Sequence, residues 1–249
     1  MSEFPHQRLL PAAFKYSFPV FLGYIAIGAA FGLFVIERGY PWYLGNFMGI
    51  LMYAGAGQFI AVGLFAAGAS LAEAALIQLM VNARHIAYGI TMFRRYKNAG
   101  KFRFYLIFSL TDETFALLSS LPELQENSPD YKNELPRRIR FMFLVSLLDH
   151  SYWNLGILIG VLAGSLIPWD FSGVGFALTA LFIVLMMEQI SRVKKPSLFI
   201  ISAVAAVAAV FLLPGAISLV SAMVISLALV QLLEIRCKKT VAPDGGGSW

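Results

Sequence analysis

The chain has 249 residues, 59% of them hydrophobic and only 13% charged, with a net charge of +5. A soluble domain carries about a quarter charged residues, yet Ser17–Ile36, Gly39–Ala72 and Ser197–Leu233 contain no Asp, Glu, Lys or Arg. These runs exclude a soluble core. They indicate an all-α polytopic membrane protein in a lipid bilayer, because about 20 apolar residues in a helix cross a hydrocarbon layer about 30 Å thick.

In chain order, residues 1–16 form a short polar tail with no small-residue cleavage site, so no cleaved leader is expected. Apolar segments follow at Ser17–Ile36, Trp42–Ala67, Leu71–Phe93, Phe104–Leu121, Phe141–Ile167, Phe171–Ile190, Ser197–Leu213 and Ala216–Ile235. They give a single transmembrane domain over residues 17–235. The end of the chain, 236–249, contains "VAPDGGGSW" and reads as a flexible tail.

Two loops are strongly basic, Arg94–Arg103 with five Lys or Arg and Lys132–Arg140 with four. Basic residues collect on the cytoplasmic side, but these loops flank Phe104–Leu121, and one crossing there would part them. The conflict disappears if Phe104–Leu121 is re-entrant or broken, which leaves about seven crossings; otherwise eight segments cross. The side of the N-terminus stays open at this stage. Gly28 and Gly32 precede Gln58, much as Gly156 and Gly160 precede Gln189. This echo suggests an inverted repeat with halves 17–93 and 141–213 and residues 104–121 between them, a frequent transporter construction; chance spacing in a glycine-rich chain is the competing reading.

Polar side chains at lipid depth are costly, and such groups usually mark a transport path. "NARHIAYG" supplies Asn82, Arg84, His85 and Tyr88, spaced three or four apart so that one helix face can hold them. "LTDETF" supplies Thr111, Asp112, Glu113 and Thr114, and "DHSYWNLG" supplies Asp149, His150, Trp153 and Asn154. In "YAGAGQF", Gly55 and Gly57 either allow close packing or break a helix beside Gln58. Asp112 is the natural counter-ion for Arg84, with Asp149 and Glu113 competing for it. His150 beside Asp149 either titrates near neutral pH or bonds a neighbouring helix.

Other chemistry finds no support. No G-x-x-x-x-G-K-[ST] or H-E-x-x-H sequence occurs, and Cys237 is alone. A P-loop ATPase, a metal site and a disulfide are therefore not expected. No cofactor, enzymatic activity or nucleic-acid partner is expected either.

The pieces "AGAGQF", "NARHIAYG", "LTDETFAL" and "DHSYWNLGILIG", in that order, resemble the AzlC/YgaZ family, the large subunit of bacterial branched-chain amino acid exporters. The resemblance runs from about Phe14 to Leu233. It implies a multi-pass protein of the bacterial cytoplasmic membrane that exports valine, leucine and isoleucine, with methionine and analogues as further substrates. It also implies a small hydrophobic partner of the AzlD/YgaH type. Proton-coupled secondary transport is the mechanism expected. A channel-like or accessory subunit, whose buried ion pairs are purely structural, is the alternative.

Overall fold

A computed structural model describes residues 9–122, 131–167 and 196–212, with scattered residues between 176 and 191 and between 221 and 229. Among them the regular elements are all helical: α1 (Leu9–Glu37), α2 (Trp42–Leu51), α3 (Gly55–Ala66), α4 (Leu71–Tyr96), α5 (Phe102–Phe108), α6 (Asp112–Ser119), α7 (Tyr131–Leu166) and α8 (Pro196–Leu212). They fall into two compact units. One holds residues 1–68 and 81–178, the other 69–80 and 179–249, so α4 contributes to both.

The first unit is organised by α1 and α7, both long and apolar enough to cross a membrane. The backbones of α1 and α7 touch. A Cβ on Gly28 would stand 2.9 Å from the Trp153 carbonyl oxygen, and one on Gly156 would stand 2.6 Å from that of Tyr24. Gly32 and Gly160 are likewise blocked by the opposing backbone, and Gly164 packs on Ile36. Small residues four apart let membrane helices approach this closely. The glycine echo therefore has a packing cause. The order of contacts, Tyr16 on Phe141, then Gly28 on Gly156, then Ile36 beside Gly164, shows that α1 and α7 run the same way. Gln189, the other member of the echo, lies outside the described residues.

Trp42–Ala67, expected as one crossing, is two helices that fold back. Helix α2 starts where Gly45 meets Val161 and Val35, and descends to Gly49 beside Asn154. The chain turns at Tyr53, whose φ of 40° lies in the left-handed region disfavoured for a bulky side chain. Helix α3 then climbs again, with Gly55 facing Trp153, Phe59 against Phe31 and Phe34, and Phe65 near Tyr40. Glycine is thus the first residue of the second helix, and the break itself falls on Met52–Ala54.

Phe104–Leu121 behaves the same way from the opposite end. Phe102 meets Phe143 and Phe108 reaches His150, so α5 rises along α7. After Ser109–Thr111 the chain reverses. Helix α6 starts at Thr111 beside Tyr24 and finishes with Ser120 bonded to Tyr16 and with Leu118 and Leu121 carbonyls capped by Arg95. Arg138 holds the Pro122 carbonyl. Both basic loops therefore sit at one end with the start of α1. Each re-entrant helix, 7 to 12 residues long, spans about 10–18 Å at 1.5 Å per residue. That is about half a bilayer core or less.

The re-entrant pairs are related by opposite orientation: α1 followed by α2–α3, and α4 followed by α5–α6. The inverted repeat expected between 17–93 and 141–213 extends over residues 168–195, most of which lie outside the described residues. At the end with the basic loops the unit is closed by a core that includes Ala13, Met92, Tyr96, Leu118, Met142 and Val145.

The second unit contains the first turns of α4 and α8. Ser70 and Glu73 start α4 with reciprocal bonds: the Glu73 carboxylate accepts from the Ser70 backbone N–H at 2.9 Å, and Ser70 Oγ accepts from the Glu73 N–H at 3.3 Å. Helix α8 lines an apolar hollow of about 500 Å³ with Ile200, Val204, Ala208 and Leu212.

Candidate functional site

The tips of the two re-entrant pairs meet near the middle of α7. The ring of Tyr53, at the α2–α3 turn, lies 6.4 Å from that of Phe108, at the end of α5, and 4.3 Å from that of His150. A helix that stops in mid-bilayer leaves backbone carbonyls and N–H groups without intrahelical partners. The side chains gathered at the two tips answer part of this demand.

His150 shows how. The interruption of α2 frees the Gly49 carbonyl, and His150 Nε2 lies 3.2 Å from it. A carbonyl only accepts, so Nε2 carries the proton. Nδ1 then accepts from the Tyr105 hydroxyl at 2.9 Å. His150 thereby ties α2, α5 and α7 together, and no bond joins it to Asp149, its sequence neighbour. Asn154 donates to the His150 carbonyl one turn back, and Asn46 of α2 donates to the Asn154 carbonyl at 2.8 Å.

Helix α6 begins with Thr111 as N-cap, its hydroxyl accepting from the Thr114 N–H. Asp112 and Glu113 follow in the first turn, where the helix dipole favours carboxylates. They point to different helices. Asp112 Oδ2 pairs with Arg84 Nη1 at 2.7 Å, and its Oδ1 accepts from the Tyr88 hydroxyl at 2.8 Å. The pair is partly open, with the side chains 36% and 27% exposed. His85 Nδ1 turns back to the Asn82 carbonyl of its own helix at 3.1 Å, so neither residue reaches the α7 cluster through that bond. Glu113 instead accepts from Tyr24 of α1 at 2.7 Å.

Behind Glu113 lies the buried part of the site. Tyr24 is 2.6 Å from Thr111 Oγ1, Thr111 is 3.1 Å from Thr114 Oγ1, and Thr114 Oγ1 is 2.8 Å from Asp149 Oδ2. Asp149 is completely buried. So is Gln58 in the first turn of α3, whose Oε1 accepts from the Trp153 indole at 2.8 Å. Two buried side-chain atoms here, Gln58 Nε2 and Asp149 Oδ1, have no partner, while the Tyr53 hydroxyl faces those of Tyr24 and Thr114. An unmade bond of this kind costs about 1–3 kcal/mol.

Of the residues singled out in the sequence, Gln58, Glu113, Asp149, His150 and Trp153 line the meeting point of the two tips. Gly55 and Gly57 lie in the first turn of α3 there, and Asn154 lies one turn up α7. Asn82, Arg84, His85 and Asp112 form the second, more open group, joined to the first through the consecutive residues Asp112 and Glu113. Sequence reasoning missed Tyr24, Tyr53 and Tyr105. Tyr53 had a signal in its place beside the glycine pair; Tyr24 and Tyr105 had none, since tyrosines are common in apolar helices.

A chain whose crossing helices carry two opposed re-entrant pairs, with buried polar groups at their tips, is a polytopic membrane protein of the discontinuous-helix class. It belongs to the AzlC protein family, whose model matches residues 19–167 and so covers both re-entrant pairs and α7. A Helicobacter pylori (strain J99) membrane protein of uncharacterised role is 45% identical over 72% of this chain and 77% of its own. The Bacillus subtilis branched-chain amino acid transport protein AzlC is 35% identical over 74% of this chain and 69% of its own. The Escherichia coli inner membrane protein YgaZ is 31% identical over 76% of each. No solved structure matches the chain.

Proposed function

We propose that this protein is the large subunit of a secondary transporter that exports branched-chain amino acids across a bacterial cytoplasmic membrane, driven by protons and assembled with a small hydrophobic AzlD/YgaH-type subunit. It performs no chemistry on its substrate. The observation that carries the reading is the set of unpartnered buried atoms at the re-entrant tips. Gln58 Nε2 is a donor suited to an α-carboxylate, and Asp149 Oδ1 is an acceptor suited to an α-ammonium. The N-terminus of α3, which has no side-chain cap, adds a favourable dipole on the carboxylate side. Trp153, Phe31 and Phe59 supply an apolar wall for the aliphatic side chain. Such a wall separates neighbours one methylene apart by only about 1–3 kcal/mol, so several related amino acids are carried.

The alternative role, a leak pathway or accessory subunit, draws on the Arg84–Asp112 pair, which is closed by Tyr88 and resembles a structural clamp. Reconstitution separates the two. Purified protein with its small partner in proteoliposomes gives saturable valine counterflow and pH-gradient-driven accumulation if it is a proton-coupled carrier. Counterflow without a response to the gradient removes the coupling, and flux without counterflow removes the carrier.

A further inference from the structure

We infer that Glu113 and Asp149 hold a single proton between them, relayed through the hydroxyls of Tyr24, Thr111 and Thr114, and that its position decides which acid is an anion. This rests on the transporter reading above only for its use in coupling; the shared proton itself follows from counting hydrogens.

Five groups stand in line: Glu113, Tyr24, Thr111, Thr114 and Asp149. Successive oxygens are 2.7, 2.6, 3.1 and 2.8 Å apart. Four hydrogen bonds need four protons. The three hydroxyls supply one each. If both carboxyls were ionised, one link would be two oxygens in contact with no hydrogen between them. If both were protonated, the extra hydrogen would either face another in one link or sit on an outer oxygen such as Asp149 Oδ1, where no acceptor meets it. The line is complete only with one carboxyl proton. Thr111 fits this count in either direction, because its oxygen accepts from the Thr114 N–H and one hydroxyl while donating to the other.

Two arrangements satisfy the count. In the first, Asp149 donates to Thr114, Thr114 to Thr111, Thr111 to Tyr24, and Tyr24 to ionised Glu113. In the second every bond is reversed and Asp149 is the anion. The surroundings favour the first at rest. Asp149 is wholly buried and its Oδ1 has no partner, a place better suited to the carbonyl of a neutral acid than to an anion's oxygen. Glu113 lies in the first turn of α6, where the dipole favours negative charge.

Conversion moves one proton and one unit of charge. The Asp149 Oδ2–H bond breaks as Thr114 Oγ1–H forms, Thr114 passes its own proton to Thr111, Thr111 to Tyr24, and Tyr24 to Glu113 Oε2. No electron changes hands. An ammonium arriving at Asp149 Oδ1 favours the second arrangement, since it needs an anion there, and this sends the proton to Glu113. Among the described residues, the other charged or titratable groups facing the line are Asp112, held by Arg84 and Tyr88 of α4; Tyr53 at the α2–α3 turn; and on α5 Tyr105, bonded to His150 of α7. Tyr152 of α7, bonded to Ser17 of α1, is also within electrostatic reach of Asp149.

Infrared spectroscopy of the purified, lipid-reconstituted protein at neutral pH, without substrate, tests this independently of transport. One buried protonated carboxyl stretch, shifted by deuteration, is expected. Asp149→Asn and Glu113→Gln must each abolish that same band, because either amide supplies the missing hydrogen and leaves the remaining acid ionised. Two independent acids would instead lose the band in one variant only, and that result overturns the inference. So does a wild-type spectrum with no such band, which needs no variant to fold. If the bands behave as expected while proteoliposomes show no pH-driven valine movement, the shared proton stands and the transport reading falls.

Discussion

The crossing of α1 with α7 and the meeting of the two re-entrant tips lie side by side in one unit, and opposite demands shape them. At the crossing, glycines remove side chains so that backbones touch, leaving no room and no choice. At the tips the helices stop early, and polar side chains satisfy freed backbone groups while some side-chain atoms remain unpartnered. The first region is a fixed frame and the second keeps unsatisfied capacity. In a transporter the frame must not yield, and only the second region has reason to exchange partners.

The largest effect is therefore expected at the frame. Gly156→Val and Gly160→Val place side-chain atoms against the opposing backbone, and backbone cannot swing aside. Overpacking a filled core costs about 1–3 kcal/mol or more, and here the two central helices would have to part. Loss of the monodisperse detergent-solubilised protein is expected, by size exclusion and thermal melting. Gly63→Ala and Gly89→Ala, where a Cβ meets nothing within 4 Å, are expected to remain folded. Equal behaviour of the two groups of variants would break the contrast.

Next come the tips. Gln58→Leu and Asp149→Asn keep size but change the donor and acceptor offered to a zwitterion. Each is expected to leave a folded protein with valine counterflow reduced by at least about tenfold, a change of about 1.4 kcal/mol in transition-state stabilisation. Wild-type counterflow in both would show that the unpartnered atoms are not the binding site.

The sequence made much of this legible. Uncharged runs identify the helical membrane class, and the polar motifs name five of the residues that line the tips. The conflict between basic loops and Phe104–Leu121 pointed to a fold-back there, and Arg95 and Arg138 now hold the exit of α6 from the same end. The second fold-back was harder to read. Trp42–Ala67 is long enough to cross, and its turn rests on one tyrosine backbone angle rather than on a proline or a charge. Side-chain direction was illegible for a simpler reason. Asp112 and Glu113 are adjacent, but residues one apart on a helix face about 100° apart, so one joins α4 and the other α1. Only tertiary contacts decide which.

A smaller effect follows from that split. Arg84–Asp112 is partly open, and solvent weakens such pairs. Arg84→Gln and Asp112→Asn are each expected to lower transport a few-fold, with the protein still inserted. Exchange of the two charges in one double variant is expected to recover most of the loss, as a clamp between α4 and α6 requires. No recovery would mean that Arg84 itself contacts the moving solute, and the open pair would then belong with the binding groups.

The smallest effect is expected at His150. It lies between the tips, yet its bonds are those of a strut: one N–H to a carbonyl and one ring nitrogen accepting from a phenol. A glutamine side chain offers a donor and an acceptor of similar reach. His150→Gln is therefore expected to transport within about twofold of wild type, and with an unaltered pH profile, because no step needs the imidazole to gain a proton. His150→Leu supplies neither bond, frees the Gly49 carbonyl and the Tyr105 hydroxyl, and should lower the melting temperature. The pH profile is the decisive reading. If a well-folded His150→Gln protein loses its response to a pH gradient while keeping counterflow, the imidazole carries the coupling proton. The line from Asp149 to Glu113 would then store charge without driving transport.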